Sequence, residues 1–215
     1  MVKCVTMRIM NIAVLGAHGK SGQVFVPMAL AAGHHVRAGV RHVNPFAAHE
    51  QLEIISAEAT SPADIAQLIA GCDAVVSLIG HRPGSQQDVQ TQAMKVLIDQ
   101  LDRTASRRLI SLTGTAVRQP GDKVLVIDHL LNWALRLVDA KRIDDGIAHA
   151  EVLQDSDLDW TIVRVLKLTQ GKEQPYTLRA HGPARLFTAR KTVSRAIIDI
   201  LEHDSFVREM PVIGS

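Results

Sequence analysis

The stretch Asn11-Ile-Ala-Val-Leu-Gly-Ala-His-Gly-Lys-Ser-Gly22 decides the fold of this chain. Its apolar opening predicts a buried strand, and the Ala-rich residues 23–32 that follow predict a helix. Between them the glycines are spaced G-x-x-G-x-x-G. Such a turn lets a helix N-terminus present backbone N–H groups and the positive end of its dipole to an anion, so the order strand, glycine turn, helix predicts a dinucleotide pyrophosphate site. The expected cofactor contacts in the turn are Gly16, His18, Gly19, Lys20, Ser21 and Gly22.

Composition favours one globular α/β domain. The chain has 215 residues, 47% of them hydrophobic and only 3% aromatic, so aliphatic side chains must fill the core. A net charge of +2 does not favour binding to nucleic acid or to a membrane surface. Cys4 and Cys72 form no metal or disulfide pattern, which favours a reducing, cytoplasmic location. Met10 is a natural start, so residues 1–9 are a possible N-terminal extension to a domain spanning 10–215.

Strand and helix patterns alternate along the chain, which predicts a doubly wound, mostly parallel sheet. Ligands bind such sheets beyond the carboxyl ends of the strands. We therefore expect the substrate rim to be formed by residues 113–123 and 165–187. The predicted strands are 11–15, 35–40, 52–57, 72–79, 107–112, 160–165 and 210–213. The predicted helices are 23–32, 62–71, 88–101, 124–140, 143–154 and 192–203.

The end of the second predicted strand indicates which cofactor is preferred. An acid there would bind the ribose hydroxyls of NAD, whereas an arginine would pair with the 2′-phosphate of NADP. The chain has Arg41 at this position and no acid until Glu50. The alternative is that Arg41 is only a solvated loop cation. We expect NADP(H) to be preferred over NAD(H).

These features are similar to those of a known family. The chain resembles atypical short-chain dehydrogenases of the NAD(P)H-binding, NmrA-like group, and most of all the small flavin reductase/biliverdin reductase B type. The resemblance implies a single-domain, Rossmann-like NAD(P)-binding fold. The segments that carry it are 11–22, 36–41, 57–60, 73–80, 111–115, 157–164 and the last helix.

The resemblance also implies further cofactor contacts. Glu58 stands where the family usually has an aspartate that meets the adenine, and Ala59 would contribute backbone contacts. The residues implied to flank the ribose and nicotinamide are Ser77, Leu78, Ile79 and Gly80. The segment 111–115, which contains Thr113, is implied to run under the nicotinamide.

The proton-relay pair of the main short-chain dehydrogenases, Tyr-x-x-x-Lys, is absent. The single tyrosine is Tyr176, and the residue four positions later is Ala180. This disfavours a standard alcohol dehydrogenase or sugar-nucleotide epimerase. The reductases that the chain resembles pass a hydride directly to a conjugated ring held over the nicotinamide, and a flavin or quinone takes its proton from solvent.

The candidate catalytic residues follow from this resemblance. The family often carries a serine just after the fifth strand, where this chain has Gly114. Thr113 or Thr115 is the candidate for the missing hydroxyl. Lys167 stands where biliverdin-reducing members have a histidine, which disfavours a tetrapyrrole substrate.

Other residues have both a functional and a structural interpretation. Arg118 is a candidate for binding an anionic group of the substrate, and the alternative is an ordinary surface arginine. Tyr176 is a candidate for packing over the bound acceptor, and the alternative is a residue that only packs within the protein. The histidines lack the short ligand spacing of a metal site. The apolar run 124–138 predicts core or a dimer face, and Asp144-Asp145 predicts a helix-start acid pair.

Two functions remain open. The first is an NADPH-dependent reductase of a flavin, quinone or similar aromatic acceptor. The second is a non-catalytic NADP(H) sensor of the NmrA type that reports redox state to a partner protein. An isomerase or dehydratase is disfavoured by the missing Tyr-Lys pair. We expect a monomer or homodimer without nucleic-acid or membrane partners.

Overall fold

A computed structural model describes residues 8–82 and 84–214. Most of the possible extension 1–9 therefore lies outside the described residues. The strands are β1 Asn11–Leu15, β2 His35–Val40, β3 Leu52–Ser56, β4 Ala74–Ser77, β5 Arg108–Gly114, β6 Asp159–Val165, β7 Leu168–Thr169, β8 Thr177–Arg179, β9 Thr188–Ala189 and β10 Val212–Gly214. The helices are α1 Gly22–Ala31, α2 Pro62–Ile69, α3 Val89–Leu101, α4 Val126–Gln154 and α5 Arg190–Glu202.

The main sheet has the order β3-β2-β1-β4-β5-β6-β10-β8. All its pairings are parallel except that of β8, which runs antiparallel to β10 at the edge. The strand order reverses between β2 and β4 on either side of β1, so the switch point lies where the glycine turn leaves β1. The predicted doubly wound sheet is confirmed. The edge strand β8 and the small β7–β9 pair were not predicted, because strands of two or three residues have no readable alternation.

Two apolar layers cover the sheet. One is formed mainly by α1 and α5, with Phe25 and Ile197 fully or almost fully buried, and the other by α2, α3 and the second half of α4. β1 and β4 are buried nearly throughout, as expected for central strands covered on both faces. The aliphatic core that the composition predicts is therefore present.

Helix α4 differs from the sequence prediction in how it packs. It spans 29 residues with non-helical backbone at Asp139, close to the break predicted between 124–140 and 143–154. The residues of its first half are mostly exposed, so of the two alternatives predicted for 124–138, core and dimer face, core is wrong. Asp144-Asp145 is also not a helix-start acid pair: both residues lie inside α4, and Asp145 is buried, with only 4% of its area exposed.

Candidate cofactor and acceptor site

The glycine turn is shaped by backbone contacts that a side chain would break. Gly16 has φ +80°, and a Cβ there would lie 3.0 Å from the carbonyl carbon and oxygen of Leu78. A Cβ on Gly22 would lie 2.3 Å from the carbonyl oxygen of Ala17. The backbone N–H of Gly19 donates to the carbonyl of Gly16 at 2.9 Å and closes the turn. The turn is thus packed against β4, as the sequence predicts for a strand–glycine–helix unit.

The turn leads directly into the N-terminus of α1. Ser21 occupies the N-cap position and its hydroxyl makes no hydrogen bond to the first turn. The side-chain amide of Gln23 donates to the carbonyl of His18 at 2.7 Å and fixes the loop that precedes the helix. The N–H groups of Gln23 and Val24 donate to the carbonyls of Gly19 and Ser21, so what this helix start offers an anion is the positive end of the α1 dipole behind the glycine turn. Lys20 is exposed beside it.

Arg41 and Glu58 meet at the ends of β2 and β3. Nη1 of Arg41 lies 3.2 Å from Oε2 of Glu58, and both side chains are substantially exposed, at 58% and 43%. The N–H of Ala59 donates to Oε1 of Glu58, and the N–H of Glu58 donates to Asp64 at the start of α2. The two residues predicted for the 2′-phosphate and the adenine are therefore neighbours. The carboxylate partly neutralises the arginine that a phosphate would need.

Arg82 is a candidate that the sequence analysis missed. Its Nη2 lies 3.4 Å from the position that a Cβ would take on Gly19. The loop after β4 thus brings a guanidinium across to the glycine turn, where an arginine suits a phosphate. The signal available in the sequence was its position shortly after Gly80, on the same rim as the turn.

The hydroxyls at the end of β5 face α4. Thr113 is buried, and its Oγ1 lies 3.2 Å from where a Cβ on Gly146 would be. Next to it, Oγ of Ser111 lies 3.0 Å from Nε2 of His149. Burial lowers the pKa of His149 to about 4, so its imidazole is neutral at physiological pH. Because glycine at 146 leaves room, α4 can approach this end of β5 closely.

Thr115 belongs to a second polar group at the first half of α4. Its hydroxyl donates to Oδ1 of Asp128 at 2.9 Å, and the amide of Asn132 donates to both. Thr115 and Asp128 are buried. This group is the observed attachment of the first half of α4 to the rim, and neither Asp128 nor Asn132 was singled out from the sequence.

Asp145 joins α4 to the rim after β4. Its carboxylate accepts from the N–H groups of Gln90 and Thr91, each at 3.0 Å, and so caps the start of α3. Nε2 of His81 lies 3.1 Å from its Oδ2. The amide of Gln90 also donates to the carbonyl of Ile79 at 2.8 Å. Leu78 and Ile79 are thus contacted by the glycine turn, and α3 holds Ile79 from the other side.

Arg164 organises the predicted substrate rim from beneath. It is buried in β6, and its guanidinium forms a two-pronged ion pair with Asp122. The same guanidinium donates to the carbonyls of Val117 and Ala180, at 3.1 and 3.0 Å. Burial alone would raise the pKa of Asp122, but the hydrogen bonds from Arg164 and the N–H of Gln119 outweigh it and lower that pKa. One buried arginine therefore ties segment 113–123 to segment 165–187.

The remaining candidates lie on different parts of the rim. Lys167 is exposed, with its Nζ 5.4 Å from the ring centre of Phe187. Arg118 is also exposed, and its Nη1 lies 3.3 Å from Nε2 of His129. Tyr176 makes no hydrogen bond to Thr113 or Thr115. Its hydroxyl donates to Asp199 of α5.

The environment of Tyr176 also sets its acidity. Its ring packs against the core layer of α1 and α5. Burial and the hydrogen bond to Asp199 raise the pKa of Tyr176 above its usual value, which makes it a poor proton donor. This contact supports the packing interpretation of Tyr176 over its use as a cover for the acceptor.

Two properties of the described residues bear on other classes of site. Within 8–82 and 84–214, no three or more His, Cys, Asp or Glu side chains are grouped as metal ligands. Across the same residues, no helix combines the length and apolar character that crossing a membrane requires.

The glycine cradle, the switch point and the arginines beside them define a nucleotide-binding α/β protein. Residues 16–204 match the NAD(P)H-binding family. The chain belongs to this family, as the resemblance of its motifs implied.

Solved structures share the fold of this chain. A short-chain dehydrogenase/reductase of Veillonella parvula DSM 2008, in complex with NADP, is 20% identical with a TM-score of 0.80, covering 97% of this chain and 95% of that one. A candidate NADH-flavin reductase of Streptococcus pneumoniae TIGR4 is 18% identical with a TM-score of 0.76, covering 95% and 98%. The oxidoreductase ylbE of Lactococcus lactis is 17% identical with a TM-score of 0.80, covering 96% and 91%. At these identities the likeness concerns the fold.

Proposed function

We propose that this protein is an NADPH-dependent reductase that delivers a hydride to a flavin, a quinone or a similar conjugated acceptor. The observation that carries the proposal is the glycine cradle at the switch point, with Arg41 at the end of the neighbouring strand β2. A Cβ on Gly22 would enter the carbonyl of Ala17, so glycine here lets the start of α1 pack closely against the turn after β1, which is the role of the third glycine in a pyrophosphate-binding turn. Bound NADPH would supply the hydride, and the residues described here would orient it.

The cofactor contacts fall on three segments of the chain. The glycine turn would hold the pyrophosphate, with Arg82 beside Gly19 as an additional cation. Arg41 would pair with the 2′-phosphate, in competition with Glu58. The ordered stretch Leu78 to Gly80 would flank the nicotinamide ribose.

The acceptor would lie between the ends of β5 and β6. The residues that would border this place are Thr113, Thr115 and Lys167. Arg118, on the outer rim, would bind a negatively charged group of the acceptor. The buried hydroxyl of Thr115 is already bonded to Asp128, and burial keeps His149 neutral, so neither is a strong acid. This arrangement suits an acceptor that takes its proton from solvent.

Hydroxyl groups that already donate within the protein also favour the second candidate, an NADP(H) sensor. Thr115 and Tyr176 both donate their O–H groups to carboxylates of the protein, so neither is available to a substrate. A sensor needs only the cofactor contacts and a surface that a partner protein recognises. It would bind NADP+ and NADPH alike and oxidise neither.

One assay separates the two. Oxidation of NADPH and NADH is followed by the absorbance of the reduced nicotinamide, with FMN, riboflavin or a small quinone added in turn. We expect turnover that prefers NADPH. Tight binding of NADP+ and NADPH with no turnover on any acceptor would instead identify the sensor, and no binding of either nucleotide would overturn both proposals.

We place the protein in the cytoplasm as part of the same proposal. Cys72 is a free, buried thiol, which suits a reducing compartment where NADPH is also supplied. Fractionation of cells that express the natural chain tests this, with recovery in the cytosolic fraction as the expected result.

A further inference from the structure

The first half of α4 presents its apolar side to solvent. The exposed fractions reach 76% for Val126, 64% for Trp133 and 86% for Val138. A surface helix ordinarily turns such residues toward the core. The large apolar residues exposed along this segment are Leu125, Val126, Ile127, Leu130, Leu131, Trp133, Leu135, Leu137 and Val138.

The opposite side of the same half-helix is polar and faces the protein. Asp128, which is buried, and Asn132, one turn later, hold it to Thr115. Arg136 continues the polar side one turn further, where it is exposed and pairs with Asp144 of the same helix at 3.3 Å. At 100° per residue, the arc that these polar residues leave holds Val126, Ile127, Leu130, Leu131, Trp133, Leu137 and Val138. The helix is therefore inverted relative to an ordinary surface helix: its polar stripe is inside and its apolar arc is outside.

The exposed apolar arc is large enough to form a stable interface. The exposed fractions correspond to an area on the order of 800–1,000 Å², whereas the largest apolar patch of a typical monomer covers about 300–600 Å². A standard protein–protein interface buries about 800 Å² on each partner. The exposed area of this arc therefore matches the area that each partner buries in such an interface.

The spacing of the residues indicates the partner. Leu130 and Leu131 lie four and three positions before Ala134, while Leu137 and Val138 lie three and four positions after it. An antiparallel copy of the helix, related by a two-fold axis at Ala134, would place apolar residues opposite apolar residues. The small alanine at the centre lets two helices approach closely. Such self-complementarity is what a two-fold interface needs.

The charges near the helix argue against a lipid surface. Between residues 122 and 145 there are five aspartates and glutamates against four lysines and arginines. A helix that lies in an anionic membrane carries a cationic polar face, whereas here Asp128 and Asn132 are turned inward. Trp133 within the arc is instead typical of the residues that dominate protein interfaces.

We propose that the apolar arc of residues 125–138 binds the same arc of a second copy, so that the protein is a homodimer joined by an antiparallel pair of α4 half-helices. Because Asp128 of this helix holds the hydroxyl of Thr115, the interface borders the proposed acceptor site. The inference is independent of the proposed reaction.

The first test measures oligomeric state by sedimentation equilibrium of the full chain. The wild type is expected to be a dimer at low micromolar concentration. Leu131→Glu and Leu137→Glu are expected to raise the dimer dissociation constant at least about 30-fold, because each buries a charge in the interface. Both residues are exposed in the protomer, so the variants should fold with unchanged far-UV circular dichroism. Val43→Glu, at a residue 67% exposed outside the helix, is the matched control and should remain a dimer.

A cross-linking experiment tests the two-fold axis. In a Cys4→Ser background, Ala134→Cys is expected to form a disulfide-linked dimer under mild oxidation, whereas Arg136→Cys on the polar side is not. A monomeric wild type overturns the proposal, as does a dimer that Leu131→Glu leaves intact or one in which only Arg136→Cys cross-links. A monomer that co-sediments with phosphatidylglycerol vesicles would assign the surface to a membrane instead and would equally overturn it.

Discussion

The proposed cofactor half and the proposed acceptor half of the site are held by different means. Around the glycine turn, shape comes from the backbone: Gly16 and Gly22 leave no room for a Cβ, and the neighbouring Arg41–Glu58 pair is exposed. Around the acceptor rim, shape comes from buried side chains, above all Arg164 with Asp122. A backbone-built site can be recognised from local sequence, whereas a side-chain-built site depends on partners far apart in the chain.

The comparison predicts that the acceptor half loses more stability from one polar substitution. Asp122→Asn leaves the buried guanidinium of Arg164 without its counter-charge, which costs about 3–5 kcal/mol of unfolding free energy. Asp102→Asn is the matched control, since its 3.3 Å pair with Arg107 is exposed and contributes at most about 1 kcal/mol. Urea titration of both variants measures the difference. Equal losses would contradict the assignment of Arg164 as the organiser of the rim.

The second prediction concerns pH and the acceptor half. His149 stays neutral in the folded state down to about pH 4, whereas in the unfolded chain it binds a proton below about pH 6.5. The unfolded state therefore binds more protons between these values, so stability falls as the pH drops from 6.5 to 4, by up to about 3 kcal/mol. His34, whose pKa burial also lowers, adds to the loss in the same direction.

His149→Gln should remove most of this pH dependence. Thermal unfolding followed from pH 7.5 to 4 in wild type and variant measures it. The variant should show a flatter curve, with a residual slope from His34. An unchanged slope would mean that another group, not His149, is responsible.

The third prediction tests the backbone-built half. Gly22→Ala places a Cβ 2.3 Å from the carbonyl of Ala17, so the turn must shift. We expect the displaced turn to bind NADPH about 10- to 100-fold more weakly, a loss of roughly 1.4–2.8 kcal/mol. Gly71→Ala is the control. Gly71 has φ +72° but no atom within 4 Å of its Cβ position, so that variant should lose about 1 kcal/mol of stability and keep its NADPH affinity. Fluorescence titration with NADPH distinguishes them, and equal affinities would place the pyrophosphate elsewhere.

The smallest expected effect concerns how Glu58 influences the choice between NADPH and NADH. Glu58→Gln removes the carboxylate that competes for Arg41 and should raise NADPH affinity about two- to five-fold while leaving NADH unchanged. Glu53→Gln is the control, because Glu53 pairs with Arg37 rather than Arg41, at 2.6 Å. A gain for both nucleotides, or for neither, would show that Glu58 does not tune the 2′-phosphate site.

The sequence was sufficient for the fold because the fold depends on local patterns. Apolar runs set the strands, and the glycine turn marks the switch point after β1. The bend near Asp139 was also readable from the pattern of two helices. Each of these signals lies within a dozen neighbouring residues.

The acceptor site was not readable in the same way. Arg164 and Asp122 are 42 positions apart, and Asp145 caps the helix start at Thr91 across 54 positions. No local period marks such pairs, so Asp145 was expected to be a helix-start acid and Asp122 was not singled out. The apolar run 124–138 has the composition of a core helix, and only the tertiary arrangement shows that its polar stripe is the side that faces the protein.

The most direct test of the account is a calorimetric titration of the wild type and of Arg41→Ala with NADPH and with NADH. We expect NADPH to bind the wild type at least about 10-fold more tightly than NADH, since a charge-assisted pair to the 2′-phosphate is lost with NADH. We further expect Arg41→Ala to remove this difference without weakening NADH. Equal affinities for the two nucleotides in the wild type, or a preference that survives Arg41→Ala, would contradict the account.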